Sequence, residues 1–284
     1  MDASPISNVS DTARWVAVYR AWESARPDAL FRDRYADLLA GERGLAIASL
    51  MPRQARNGWP IIARTKLMDD WILATIKSGC DCVVNLAAGF DTRPYRLELP
   101  ASLRWIEADF PALIEEKEEL LQDAQPHCQL HRIKIDLVDS GARAAMLKDV
   151  VGSSVQALVI TEGLLLYLEE FQVCSLSADI SAQAGIKWWI LDLASPALLQ
   201  LMKKTMGSRL DNAPLKFGPP NGVAFFESLG WGVMQVRSIM KAASEFRRLP
   251  WTLRFFGLLP EQNPRKPNHG PWSAVVQLVS PDCG

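Results

Sequence analysis

Between residues 82 and 279, short β-rich apolar runs alternate with stretches of helical spacing, and this alternation limits the possible folds more than any other feature of the chain. The runs read as strands lie at 83–86, 104–109, 129–136, 157–163, 187–193, 232–239 and 273–279. Strands separated by helices cannot close as tight hairpins; they need crossover connections, and so a mostly parallel, doubly wound α/β sheet. The spacing predicts helices opened by Pro111, over about 140–151, and from the fourth strand through Cys174. The connection before the last run is long, so pattern alone leaves the order and direction of the final pair open.

The first eighty residues have a different texture. Ser10 and Asp11 offer N-caps to TARWVAVYRAWESA, in which Trp15, Val18, Tyr19 and Trp22 recur at helical spacing. LFRDRYADLLAGERG predicts a helix closed by Gly41 or Gly44, and PIIARTKLMDDWILATIKSG a third ending at Gly79. The expected organisation is a helical cap over 1–80 and an α/β core over 81–284. Helical insertions are expected near 196–222, a candidate lid, and 240–270.

Lys and Arg number 31 against 32 Asp and Glu, so the chain lacks the basic excess of a nucleic-acid coat. No apolar run is long enough to cross a bilayer. The opening MDASPISNVSDTARW lacks the basic-then-apolar order of a signal peptide, and a cytoplasmic protein with no membrane partner is expected. The five cysteines contain no C-x-x-C pair and read as reduced thiols. His127, Cys128 and His131 are the one cluster that suggests a metal. They fall on a predicted strand, where odd and even offsets face opposite sides, so packing is the preferred reading and no metal is expected.

Ligands of a doubly wound sheet bind beyond the carboxyl ends of the strands. The first strand ends NLAAGFDTR, with Gly89 placed for a tight turn and the small Ala87 and Ala88 letting a ligand approach the backbone. Twenty residues after Gly89 the second strand ends in Asp109, with Glu107 on the same face; either carboxylate suits the two hydroxyls of a ribose. Asp136 and Leu137 end the third strand, where a base edge would lie, and Thr161-Glu162-Gly163 end the fourth. Counting Asp91, acids stand at four consecutive strand ends. They suit a ligand with hydroxyl and amino donors and a positive centre, and they would repel a chain of phosphates. The G-x-G-x-x-G fingerprint of dinucleotide sites is absent, and Asp91 follows the single glycine. A sulfonium nucleoside such as S-adenosylmethionine fits this electrostatics better. Asp91 and Asp109 also precede helical starts, so N-capping remains a competing reading for each.

The segments TARWVAVYRAWESARPDALFRDRYA, IIARTKLMDDWI, VVNLAAGFDTRPYRL, WIEADFPALIEEKEELL, KIDL and ITEGLLLYL, in this order from about residue 12 to 168, resemble the leucine carboxyl methyltransferase family. The resemblance is to its bacterial branch of S-adenosylmethionine-dependent O-methyltransferases, which includes polyketide carboxyl methylation enzymes. It implies the class I methyltransferase topology, Rossmann-like with seven strands and an antiparallel last strand. It further implies that Arg64 pairs with the cofactor's methionine carboxylate, that Ala88 and Gly89 lie against its methionine part, and that Asp109 holds the ribose. Asp136 and the Leu137 backbone would read the adenine, and Glu162 would face the methionine amino group or the sulfonium side. Many relatives have a second glycine where this chain has Ala87-Ala88-Gly89.

Methyl transfer from a sulfonium mainly needs an aligned acceptor oxygen and excluded water. A carboxylate is already ionised at neutral pH, whereas a phenol or alcohol wants a base. The candidate catalytic side chains are Tyr19 and His269, the latter because an antiparallel last strand would start on the ligand side. Segment 240–270 carries six cations against two acids, together with Phe246, Trp251, Phe255 and Phe256. It reads either as an acceptor wall for an anionic, partly apolar substrate, with Arg254 and Arg265 in it, or as a solvated basic face. Tyr19 and Trp22 read as pocket closers or as core. Trp188 and Trp189 face opposite sides of their strand, so at most one could touch a ligand. The expected function is O-methylation of a carboxylate, or a hydroxyl, of a small molecule. The alternatives are an NAD(P)-dependent oxidoreductase, a non-catalytic nucleoside-binding protein and, within the family, a protein C-terminal carboxyl methyltransferase.

Overall fold

Alternate residues of the strands sort to opposite faces, and both faces are apolar because helices cover both. The structure, a computed structural model, describes residues 6, 10–52, 56–152, 156–267 and 270–280, with backbone alone at 10, 208 and 210. The expectations for His269, Cys283 and the Ser10 cap lie outside the described residues. Strands β1 (Cys82–Leu86), β2 (Arg104–Asp109), β3 (Gln129–Lys134), β4 (Ala157–Thr161), β5 (Ile186–Ala194), β6 (Gly232–Ser238) and β7 (Ser273–Val279) form one sheet in the order β3-β2-β1-β4-β5-β7-β6. β1 to β5 are parallel, and β7 is antiparallel to both β5 and β6. This is the topology that the family resemblance implied; the last pair, open to pattern alone, resolves with β7 inserted between β5 and β6.

The helices are α1 (Ser10–Ser24), α2 (Ala36–Leu50) and α3 (Trp59–Lys77) before the sheet, then α4 (Arg93–Arg96), α5 (Pro111–Leu120), α6 (Ser140–Val151), α7 (Glu170–Ser181), α8 (Pro196–Met206), α9 (Ala224–Ser228), α10 (Ile239–Glu245) and α11 (Arg254–Leu258). On one face Val84, Ile106, Val159 and Trp189 pack with Leu147 of α6, Val173 of α7 and Phe226 of α9. On the other, Val83, Trp105, Leu158 and Ile190 pack with Leu67, Met68 and Ile72 of α3 and Ala242 of α10. Over the carboxyl rim, Val18 of α1 and Leu39 of α2 share a cluster with Phe90 and Tyr95 from beyond β1. Leu199 and Met206 of α8 meet Ile47 of α2 and Met51. α1, α2 and α8 thus roof the rim and leave a space beneath them.

Four elements differ most from the sequence reading. The second helix starts at Ala36, not Leu30, and passes both glycines to Leu50. Gly41 kinks it at φ +55°. Gly44 lies where α1 crosses: a Cβ there would come within 3.0 Å of the Arg14 carbonyl and 3.2 Å of Val18 Cγ2, so this glycine serves close helix approach, not termination. After β4 the apolar LLLYL makes a single 3₁₀ turn, and α7 begins instead at a capping box of Glu169 and Gln172 and runs past Cys174 to Ser181. β3 and β4 end at Lys134 and Thr161, short of the predicted ends, so Asp136 and Glu162 sit in the loops that follow.

Candidate active site

The turn after β1 is built around backbone donors. Ala87 adopts φ +55° and donates its N–H to the Ala108 carbonyl at 2.8 Å; Gly89 follows at φ +50°. A left-handed alanine costs roughly 1 kcal/mol, so Ala87 holds this turn at a penalty. Asp109, at the end of β2, braces that turn: Oδ2 accepts the Gly89 N–H at 2.7 Å and Oδ1 accepts its neighbour Phe110 N–H at 2.7 Å. Burial raises the Asp109 pKa, opposed by these two backbone bonds. Asp136 Oδ1 accepts the Val138 N–H at 2.9 Å, ordering the loop after β3.

The acids at the rim are not bare. Arg93, on α4 and fully buried, reaches Asp69 of α3 at 2.7 Å, Asp91 at 2.7 Å and Glu162 at 2.8 Å. Arg96 also grips Asp69, at 2.6 Å. Arg64 of α3 pairs with Glu162 at 2.9 Å and with Asp192, near the end of β5, at 3.0 Å. Asp192 Oδ1 in turn accepts the Gly163 N–H at 2.6 Å. Burial would push the Asp91 and Glu162 carboxyls up, but Arg93 and its neighbours hold Asp91 well below the usual carboxylate range, and Arg93 with Arg64 lower Glu162. The expectation of an acid-only cradle is therefore corrected: arginines interleave with the acids, because clustered buried carboxylates need counter-charges. Five carboxylates (Asp91, Asp109, Asp136, Glu162, Asp192) still face three guanidiniums (Arg20, Arg64, Arg93) along the cavity, so an acid excess remains.

The cavity has a volume of about 630 Å³ and brings together Tyr19, Arg64, Ala88, Gly89, Asp91, Asp109, Asp136, Leu137 and Glu162. Glu107, the alternative ribose acceptor, does not line it. Its side chain is fully buried between Lys117 at 2.8 Å and Arg132 at 3.0 Å. Beyond the turn the cavity becomes apolar, walled by Trp15, Trp59, Leu166, Leu198 and Met202. α8 of the 196–222 insertion supplies Leu198, Leu201 and Met202. Among the described residues of 240–270, only Leu253 reaches the lining. Arg254 is exposed and Arg265 pairs with Glu227, so the basic segment does not form an acceptor wall. Trp22, Trp188 and Trp189 lie off the cavity.

Tyr19 accepts a hydrogen bond from Trp15 Nε1 at 2.8 Å, and burial pushes its hydroxyl up to about 12. It can orient a substrate but stays protonated at neutral pH. Tyr167, also on the lining, is raised by burial as well. Among the described lining residues there is no His, Lys or Cys. His127 Nδ1 lies 2.7 Å from the Leu97 carbonyl, His131 is exposed, and burial pushes the Cys128 thiol up to about 12, so these side chains do not converge on a site.

Sequence reasoning missed Arg93, Asp69 and Asp192. Asp192 was open to discovery, since the rule applied to four strand ends applies equally to the fifth. Arg93 follows Asp91 by two residues, but its role depends on α3 and β4 meeting at that point.

The residues suit a zwitterionic nucleoside. At Gly89, with φ +50°, an added Cβ would be strained and would crowd Ala13 Cβ at 3.2 Å, so glycine suits this turn. Arg93 Nη2 is buried without a hydrogen-bond partner in a side chain that lines the cavity, which leaves an unused donor for a carboxylate.

The pattern of the leucine carboxyl methyltransferase family matches residues 13–181. A provisionally named S-adenosyl-L-methionine-dependent methyltransferase of Streptomyces coelicolor is 37% identical over 191 residues, covering 63% of this chain and 66% of its own length. The match thus spans just under two thirds of that relative. A similarly named protein of Mycolicibacterium smegmatis is 32% identical over 253 residues, covering 80% of this chain and 84% of that one. Among solved structures, a DUF574 family protein from Streptomyces avermitilis superposes with a TM-score of 0.58 at 12% identity, covering 95% of this chain and 97% of that one. A provisionally named methyltransferase of Thermobifida fusca gives 0.55 at 13% identity, covering 96% and 95%. At such identities these structures establish the fold.

Proposed function

This chain belongs to the leucine carboxyl methyltransferase family, and from that premise we propose that it is an S-adenosylmethionine-dependent O-methyltransferase acting on the carboxylate of a small, largely apolar molecule. The cofactor, when bound, supplies a methyl group on a sulfonium that is already a good leaving group. Arg64 and the unused Arg93 donor hold its carboxylate, Glu162 its amino group, and Asp109 its ribose hydroxyls. Asp136 and the Leu137 backbone face the adenine. Trp15, Trp59, Leu198 and Met202 exclude water from the apolar end and align the acceptor there.

The observation that carries the carboxylate reading is that none of the described lining residues is of a type that ordinarily titrates near neutrality. Among the described lining residues there is no His, Lys or Cys, Tyr19 is held at about 12, and Asp91 and Glu162 are engaged by arginines. A hydroxyl acceptor would need such a base; a carboxylate does not. An oxidoreductase reading has no support from the relatives or from the single-glycine turn. The test is label transfer from S-adenosylmethionine to pairs of apolar acids and their cognate alcohols, with a peptide bearing a free C-terminus alongside. Methylated acids beside inert alcohols are expected; alcohols methylated in preference would overturn the reading. Cofactor binding without turnover on any acceptor would point instead to a silent nucleoside binder.

A further inference from the structure

Five of the fourteen exposed large apolar side chains among the described residues fall within the nine residues 251–259. Trp251 is 81% exposed, Phe255 69%, Phe256 52%, Leu258 79% and Leu259 42%. Scattered exposed apolar side chains are ordinary; a cluster of two phenylalanines, two leucines and a tryptophan in one short segment is not. Arg247 adopts φ +58° without being glycine, and within the exposed segment Leu253 lines the cavity, as does Ser273, the first residue of β7. The apolar tip therefore stands on the ligand side of the sheet, next to the cavity.

The charges around the tip are unbalanced. Arg248 is engaged by Glu23 at 2.8 Å and Arg265 by Glu227 at 2.6 Å, but among the described residues Arg247, Arg254 and Lys266 are exposed and have no carboxylate within ion-pair distance. Against them stands one exposed carboxylate outside any ion pair, Glu261, whose Oε1 accepts the Ser238 N–H at 2.9 Å, so a local positive excess remains. We propose that the segment 251–259, flanked by these three cations, docks the protein on an anionic lipid bilayer and sets the cavity mouth at the lipid surface. Aromatic and leucine side chains at the tip with arginine and lysine beside them match the interfacial zone of such a bilayer, where the rings enter the acyl boundary and the cations meet headgroup phosphates. A second copy fits less well, because a two-fold contact through this patch would bring its unpaired cations against one another. No helix among the described residues is long and apolar enough to cross a membrane, so the contact is peripheral. The inference stands independently of the methyl-transfer reading, since vesicle binding is measured without turnover.

The test is cosedimentation of the whole chain with vesicles of phosphatidylcholine alone and of phosphatidylcholine mixed with phosphatidylglycerol. Binding is expected to the mixed vesicles and to weaken with added salt. Arg247→Gln and Arg254→Gln are each expected to lower the partition coefficient about fivefold. Trp251→Ser with Phe255→Ser should lower it on the order of a hundredfold, burial of one such ring being worth roughly tenfold or more. Thermal unfolding and S-adenosylhomocysteine calorimetry on each variant separate these losses from misfolding. Equal partition into both vesicle types, binding insensitive to these substitutions, or a dimer that they abolish without any vesicle binding would each overturn the proposal.

Discussion

Asp109 carries two loads that a single substitution separates. Its carboxylate accepts the Gly89 and Phe110 N–H groups, both at 2.7 Å, and each oxygen keeps lone-pair capacity toward the cavity. In Asp109→Ala the turn loses two charge-assisted bonds worth roughly 1.5–3 kcal/mol each before relief of the carboxylate's desolvation, for a net destabilisation of about 2 kcal/mol. For a chain of 284 residues the unfolding entropy is about 0.6 kcal/mol per degree, so Tm should fall by about 3 °C. Loss of two hydrogen bonds to ribose hydroxyls should cost about 3 kcal/mol of cofactor affinity, raising the Kd for S-adenosylhomocysteine about a hundredfold. Asp109→Asn, which keeps one acceptor oxygen and turns an N–H₂ toward the other donor, should fall between. Calorimetric titration gives the Kd and differential scanning calorimetry the Tm. A Kd that stays put while Tm falls would mean that Asp109 braces the turn and the ribose lies elsewhere; no change in either would sink both halves of the reasoning.

Tyr19→Phe should leave the turnover of a carboxylate acceptor within about threefold, and the wild-type rate should be flat from about pH 6 to 9, because a hydroxyl near 12 stays protonated throughout; a pH-rate profile with a lost basic limb in the variant would contradict this. Ala87→Gly should change stability by no more than about 1 kcal/mol and in the favourable direction, relief of the left-handed strain outweighing the added unfolded-state freedom; denaturant unfolding measures it. Met202→Glu on the apolar wall should raise KM for an apolar acid about tenfold or more and leave S-adenosylhomocysteine binding unchanged, as steady-state kinetics beside calorimetry would reveal. Since Asp91 and Glu162 have lowered folded pKa values, their stabilisation is present above the ordinary carboxylate range and is lost as the pH falls through those lowered values; Tm should drop steeply below about pH 4, and less steeply in Glu162→Gln.

The central strands were legible because both faces of the sheet are buried there, which leaves mostly apolar runs bounded by turn residues: 157–161 and 273–279 are visible without tertiary knowledge. The helix boundaries around Gly41 and Gly44 were not, since whether a glycine ends a helix or admits a neighbour depends on where Arg14 and Val18 of α1 arrive. The candidate ligand positions at four strand ends follow from one geometric rule and fall on one cavity. Their counter-ions escaped notice because Asp69–Arg93 and Arg64–Asp192 join residues on different elements, 24 and 128 positions apart, and no local pattern reports such partners. Glu107 shows the converse error. Sequence alternation gave its face correctly as that of Asp109, but Lys117 arriving from α5 seals it inside.

The seating of β7 between β5 and β6 has a consequence for how the chain is made. As it leaves the ribosome, β6 lacks its sheet partner until residues 273–279 have also emerged, because among the described residues its sole neighbour in the sheet is β7. Meanwhile β5 presents an open, apolar edge of the kind that invites association with other chains. A nascent polypeptide stalled after β6 would thus hold two unfinished borders at once, and a chaperone that waits on this protein would be expected to release it only when that final stretch slides in.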